Sequence, residues 1–344
     1  MATRKSSTET SRLRAAKKGS AKKAVNKTAR ARKKPAGKVN AAGVTSDEQF
    51  LRETLGAQFA KFELERATNG YIGILEACYK FAKGDETPAM PAGYKVVAKI
   101  RTRAEEGLES MRALPAADLA ALENDFRAVG ISGNSEEGIS NPENFGFVVR
   151  ELATNALIVG IRGTQTPAEW VKNFTVIPQV FNAAPEFGLV HLGFEQMWKK
   201  IRRDVVEALE TEPDTTRITF LGHSLGGAMA TLGIVDVKKN LKRPLVDLCT
   251  FGGPRVGKVV FRVKFNKLIQ DCFRMVEIRD IVPHVPSKLT LWNHVGREIE
   301  VRSKESNAHS LKSYLAGLKG LSSQEKPEGM TERVRGGVLT TLTY

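Results

Sequence analysis

The chain has 344 residues, with 53 Lys or Arg against 38 Asp or Glu and a net charge of +15. Residues 1–40 hold 14 of those basic residues and one acid, Glu9, so the rest of the chain is close to neutral and its fold is not a polycation. Cys78, Cys249 and Cys272 are too few and too scattered for a disulfide framework, and no stretch reaches the ~18 apolar residues of a membrane span.

Residues 1–45 are rich in Lys, Arg, Ala, Ser and Thr, bury almost nothing, and are expected to be disordered. Non-specific contact with nucleic acid, attraction to an anionic membrane and an organelle transit role stand open beside a plain solvated tail. No apolar h-region follows the charges, so an intracellular protein without a Sec signal is expected. Ser46-Asp47-Glu48 starts a helix carried by Phe50, Leu51, Leu55, Phe59 and Phe62. A second helix is expected over 71–83. A third follows Gly93, with Val97, Ile100, Ala104, Leu108 and Met111 at intervals of three and four, and Pro115 starts a short fourth. Residues 46–125 therefore read as a helical layer packed on a core spanning 126–320, with 321–344 a loose C-terminal tail.

Gly130 to Asn144 is loop by composition. Phe145 to Leu152 and Ala156 to Ile161 read as strands joined by the turn Ala153-Thr154-Asn155, and Arg162-Gly163-Thr164 closes the second. Residues 165–183 carry Trp170, Phe174, Ile177 and Phe181, which suit either an amphipathic flap over a groove or ordinary packing on the sheet. A long amphipathic helix follows, with Phe194, Trp198, Ile201, Val205 and Leu209 on one face, ending at Glu212-Pro213-Asp214. Further strands are expected at 245–251, 273–278 and 295–302, and Ser310 caps a last helix with Leu311, Tyr314, Leu315 and Leu318 inward. Strands alternating with helices imply an α/β fold with a mostly parallel central sheet flanked by helices.

Between two of these elements lies the stretch RITFLGHSLGGAMATL, residues 217–232. An apolar β-prone run, Gly222-His223-Ser224-Leu225-Gly226, and a helix of small residues follow one another without a gap. That context turns Gly-x-Ser-x-Gly into a nucleophile elbow, whose strained turn lifts the serine above the sheet. Gly222 and Gly226 stand where a Cβ would collide, and the helix N-terminus favours the negative charge that forms in acyl transfer.

A serine hydroxyl needs a base to take its proton and a third group to hold that base. On α/β-hydrolase folds the chain order is Ser, then Asp or Glu, then His. Of five histidines, His191 lies upstream and His223 abuts the serine, which leaves His284, His294 and His309. Among the acids between, Asp236 is expected to face solvent, Asp247 sits inside a strand and Asp271 just before one. Asp280 closes a strand and opens an irregular loop, where such sheets place functional groups. His284 is only four residues beyond it, and the loop before the last helix favours His309 over His294. The backbone N–H of Leu225 and a donor from Arg162-Gly163-Thr164 are the expected oxyanion hole. No His-Glu-x-x-His or paired Cys-x-x-Cys exists, so no metal and no cofactor is expected.

The blocks IVGIRGT (158–164), VHLGFEQMW (190–198), ITFLGHSLGGA (218–228), TFGGPRVG (250–257), RDIVPHVP (279–286) and AHSLKSYL (308–315) resemble the class 3 lipases, the family of the fungal triacylglycerol lipases. The resemblance implies an α/β-hydrolase fold with Ser224 as nucleophile, Asp280 as triad acid, His309 as base and Thr164 as an oxyanion donor. It also implies hydrolysis of acylglycerol esters at a lipid–water interface, with phospholipids or short-chain esters as alternatives on the same triad. A tethering protein, whose basic tail does the binding, is the alternative from another class.

Overall fold

The computed structural model describes residues 64–102, 143–163, 176–214 and 216–323. The expected disordered tail, the helices starting at Ser46 and Pro115, Thr164, Trp170, Phe174 and the tail beyond Ser323 lie outside the described residues.

The first described helix, α1, is Ile72–Ala82, entered through the π-helical turn Ala67–Tyr71. Where the sequence spacing predicts a helix after Gly93, the chain forms a strand instead, β1 (Tyr94–Arg101). The correction has a physical reason. Val96, Val97 and Ile100 are β-branched, and YKVVAKIR lies antiparallel along the free edge of β2 (Asn144–Glu151), from Tyr94 opposite Glu151 to Arg101 opposite Asn144. Edge pairing gives this backbone its hydrogen bonds, so the three-and-four spacing of its apolar residues never comes into play. Within the span 46–125 expected to be helical, residues 94–101 thus form a sheet strand, and Ala104, Leu108 and Met111 lie outside the described residues.

β2 turns back antiparallel into β3 (Leu157–Ile161) through Asn155, which holds φ +59°. A two-stranded ribbon, β4 (Pro178–Val180) with β5 (Leu189–His191), leads into α2 (Leu192–Glu210). Then come β6 (Ile218–His223), α3 (Leu225–Asn240), β7 (Val246–Phe251), α4 (Val259–Leu268), β8 (Cys272–Glu277), β9 (Arg297–Val301) and α5 (Leu311–Ser323). The seven-stranded sheet has the order β1-β2-β3-β6-β7-β8-β9, and from β3 to β9 every neighbouring pair is parallel. Only β2 runs against the rest.

Alternation along the strands sorts two apolar cores. Phe220 and Leu248 face the helices α2 and α3, whereas Leu221 and Cys249, one residue on in each strand, face α1 and α5. With both faces covered, β6 and β8 are buried throughout, as parallel strands are.

Asp236 departs from expectation. It is fully buried on α3, accepting hydrogen bonds from the Trp198 indole at 2.9 Å, Arg202 Nε at 2.6 Å and Asn240 Nδ2 at 2.7 Å. A carboxylate there ties α2 to α3, because the indole N–H needs an acceptor once buried.

Candidate active site

β6 ends at His223 and α3 begins at Leu225, leaving Ser224 alone on the turn with φ +56° and ψ −128°. A non-glycine residue in this region stores strain of the kind found at functional sites. The two flanking glycines make the bend sterically possible. A Cβ on Gly222 would lie 2.3 Å from the Gly226 carbonyl oxygen, and one on Gly226 would lie 2.2 Å from that of Ile161. Leu225 opens α3, so its N–H is among the helix donors without an intrahelical acceptor.

The sheet brings Asp280 and His309 together. Asp280 follows β8, and His309 lies in the loop between β9 and α5. His309 Nδ1 is 2.7 Å from Asp280 Oδ2, which fixes the proton on Nδ1 and leaves Nε2 as the acceptor. Tyr314 Oη donates to the same carboxylate oxygen at 2.6 Å, and the Val282 N–H donates to Oδ1 at 3.0 Å. Burial works to raise the carboxyl's pKa, but the hydrogen bond and charge of His309, with those from Tyr314 and Val282, outweigh it and hold Asp280 below its ordinary value. Burial and then the Asp280 charge push the Tyr314 hydroxyl well above its own, so it stays a donor. Arg279 pairs with Glu277 at 3.0 Å and leaves Asp280 to the histidine. Ser224 Oγ and His309 Nε2 are both buried, and neither has a hydrogen-bond partner among the described residues.

The other histidines have separate environments. His294 Nε2 lies 2.6 Å from the Pro283 carbonyl, and His284 is exposed. His223 is a buried link rather than a bystander. Its Nε2 lies 2.8 Å from the His309 carbonyl oxygen, so Nε2 carries the proton and donates. Nδ1 must then accept, and the Tyr79 hydroxyl at 2.7 Å donates to it. The same hydroxyl accepts from the Gly163 N–H at 3.0 Å. One chain of hydrogen bonds thus runs from the 162–163 loop through α1 to the backbone of His309. Burial, and then the nearby His309, drives the His223 pKa down to about 3, which keeps this ring neutral.

Gly163 itself passes hard against the elbow, since a Cβ there would lie 2.5 Å from the Ser224 Cβ. Arg162 anchors this loop by donating from Nε to the Asn144 carbonyl at 2.7 Å and from Nη1 to the Gly163 carbonyl at 2.8 Å. Burial lowers even its guanidinium pKa, to about 10. Thr164, the next residue and the expected second oxyanion donor, is outside the described residues. In the segment read as flap or packing, Phe181 is buried against Phe261, while Val180 is half exposed.

Sequence reasoning missed Tyr79 and the linking role of His223, and it gave Tyr314 only a packing role. Nothing in the sequence pairs Tyr79 with a residue 144 positions away. Tyr314 carried one weak signal, an inward-facing hydroxyl five residues after His309.

Comparison with known proteins follows the same residues. The family model described as Lipase (class 3) matches residues 158–290, a span containing Ser224 and Asp280 and ending before His309. A chloroplastic phospholipase A1 of Arabidopsis thaliana is 27% identical over 241 residues, covering 54% of this chain and 54% of that protein. A lipase of Rhizopus niveus is 32% identical over 172 residues, covering 47% of this chain and 43% of that protein. The chain thus spans about half the length of these two curated relatives. The solved structure of lipase II from Rhizopus niveus superposes with a TM-score of 0.53 at 20% identity, over 72% of this chain and 83% of that one, a likeness of fold.

Proposed function

We propose that this chain, which belongs to the class 3 lipase family, is a serine hydrolase that cleaves the carboxylic esters of acylglycerols. The observation that carries this reading is the 2.7 Å hydrogen bond from His309 Nδ1 to Asp280, which leaves Nε2 as an acceptor, while the His309 carbonyl is held by His223, the neighbour of a serine perched at φ +56°. In the first half-reaction Ser224 Oγ bonds to the ester carbonyl carbon while Nε2 takes its proton. The Leu225 N–H and the Thr164 donor stabilise the oxyanion, in a role typically worth roughly a hundred- to a thousandfold in rate per donor. The ester C–O bond then breaks, and the alcohol leaves with the proton from Nε2. Water, deprotonated by the same nitrogen, attacks the acyl-enzyme. The fatty acid departs and Oγ regains its hydrogen. Asp280, held ionised, stabilises the imidazolium in both halves and never takes the proton itself.

A phospholipid as substrate is the second reading, supported by the likeness to the Arabidopsis phospholipase A1. Hydrolysis of a p-nitrophenyl ester chain-length series by the wild-type protein and by Ser224→Ala tests the first claim. Turnover that falls by at least ~10³ in the variant is expected. Equal rates in the two proteins would discard the enzyme.

A further inference from the structure

Helix α4 does not look like an ordinary surface helix. It buries Phe261 and Phe265 and turns Val259, Val260 and Val263 outward, the last at 55% exposure. Residues 258–268 also carry Lys258, Arg262, Lys264 and Lys267 and no acid. Solvent gives no reason to place three valines among four cations.

The apolar surface continues beyond the helix on both sides. Val260 packs over Gly188, whose Cβ would lie 3.2 Å from the Val260 Cβ, and the Lys258 N–H donates to the Leu189 carbonyl at 2.9 Å. Leu189 stands opposite Val180 in the β4–β5 ribbon, and both side chains are exposed. On the other side, Lys258 Nζ donates to the Thr290 carbonyl, next to Leu289 at 94% exposure and Leu291 at 62%. Leu291 holds φ +65°, a strained conformation for a leucine that gains no burial from it. The acid on the adjoining 3-10 turn, Glu186, is paired with Lys239 at 2.8 Å. Both α4 and the 288–291 loop start from the carboxyl ends of strands, the sheet edge where Ser224 and Asp280 also sit.

We infer that the α4 face, with the 288–291 loop, docks this protein onto an anionic lipid bilayer, the valines and leucines entering the headgroup layer while Arg262, Lys264 and Lys267 meet lipid charge. Exposed apolar side chains ringed by cations are the chemistry of an interfacial surface element, in which apolar burial and attraction to anionic headgroups act together. This deepens the hydrolase reading and rests on it, since docking here brings the reacting edge of the sheet to the ester-bearing surface.

The test uses the full chain carrying Ser224→Ala, so that vesicle lipid is not consumed. All three native cysteines are buried, and burial pushes the Cys78 and Cys272 thiols up to about 12, so an NBD fluorophore goes to an introduced cysteine. Probes at Val263→Cys and Leu289→Cys are expected to shift to the blue on vesicles of phosphatidylcholine with phosphatidylglycerol. No shift is expected on phosphatidylcholine alone, or on either vesicle from an exposed control on α1, Glu76→Cys. Reversing Arg262, Lys264 and Lys267 to Glu is expected to weaken vesicle binding about a hundredfold or more, as headgroup attraction per basic residue implies. With Ser224 restored, the same triple variant keeps turnover of p-nitrophenyl acetate within about twofold, which also reports that it folds. Unshifted probes at 263 and 289 on bound protein would place the contact elsewhere, in the basic residues 1–40, and overturn the inference. So would a triple variant that binds as well as its parent, or a dimer in sedimentation that shields both probes. Loss of ester turnover in the wild-type protein counts against the hydrolase alone, because the vesicle experiments use a protein without its nucleophile.

Discussion

The Tyr79 hydroxyl lies 2.7 Å from Nδ1 of His223, and through it the helix α1 holds two parts of the reacting centre at once. The hydroxyl takes the Gly163 N–H while the far side of the imidazole holds the His309 carbonyl. Tyr79→Phe keeps the ring and removes both bonds, leaving a buried N–H and a buried ring nitrogen unpaired at a cost of about 1–3 kcal/mol each. Ester turnover is expected to drop about 10- to 100-fold through kcat, with KM for a soluble ester little changed. Steady-state kinetics beside a thermal melt separates this from general loss of fold.

His223 also gives the protein a pH dependence with a definite sign. Its native pKa, about 3, lies below the ordinary 6.5, so between those values the unfolded chain binds the proton that the native state refuses. Stability therefore falls as pH drops through this window, by at most about 1.4 kcal/mol per pH unit from this one ring. His223→Gln cannot titrate, and its slope of unfolding free energy between pH 4 and 6 should be flatter. Urea titrations across that range measure it.

Gly252 has no room for a side chain. Its φ is +60°, and a Cβ would lie 2.7 Å from Asp280 Oδ2, 2.8 Å from Tyr314 Oη and 3.1 Å from His309 Cε1. Gly252→Ala is expected to push the carboxylate and imidazole apart and to cut turnover by at least a hundredfold, since small displacements of reacting groups cost that much. The carboxylate's pKa should move back up toward its ordinary value as it loses the His309 and Tyr314 hydrogen bonds.

Asp236 offers the contrasting case, structural and remote from the serine. Asp236→Ala leaves the Trp198 indole N–H buried without its acceptor and removes the ion pair to Arg202. Because Arg202 is more than a third exposed, most of the cost belongs to the indole, about 2–3 kcal/mol in all. Denaturant melts should show that loss while kcat at 25 °C stays near wild type.

How far the chain can be read from its letters follows from the range of each interaction. The elbow was legible because strand, turn and helix are contiguous, and Gly222 answers a contact within four residues of the serine, although Gly226 answers the distant Ile161 carbonyl. Asp280 and His309 came within reach because topology orders them, and the structure brings the two side chains together. Residues 94–101 were misread because YKVVAKIR fits both periodicities, and the deciding partner, the open edge of β2, lies some 50 residues away. The burial of Asp236 was invisible for the same reason, since its acceptor role depends on an indole 38 residues upstream. Tyr79 is the extreme case, as a tyrosine on an amphipathic helix carries no sign of which distant hydrogen it will share.

The attachment of the His309 carbonyl to the His223 ring has a further consequence for how the molecule comes into being. Ser224 and Asp280 precede the last described helix in the chain, whereas His309 lies just before that helix and Tyr314 in its first turn. Until that segment docks, Ser224 lacks its proposed base and the buried His223 ring lacks the carbonyl oxygen it holds in the folded protein. On the proposed reading, ester hydrolysis needs the segment that carries His309 and Tyr314 to be docked, so a chain truncated before Asn307 is expected to be inactive.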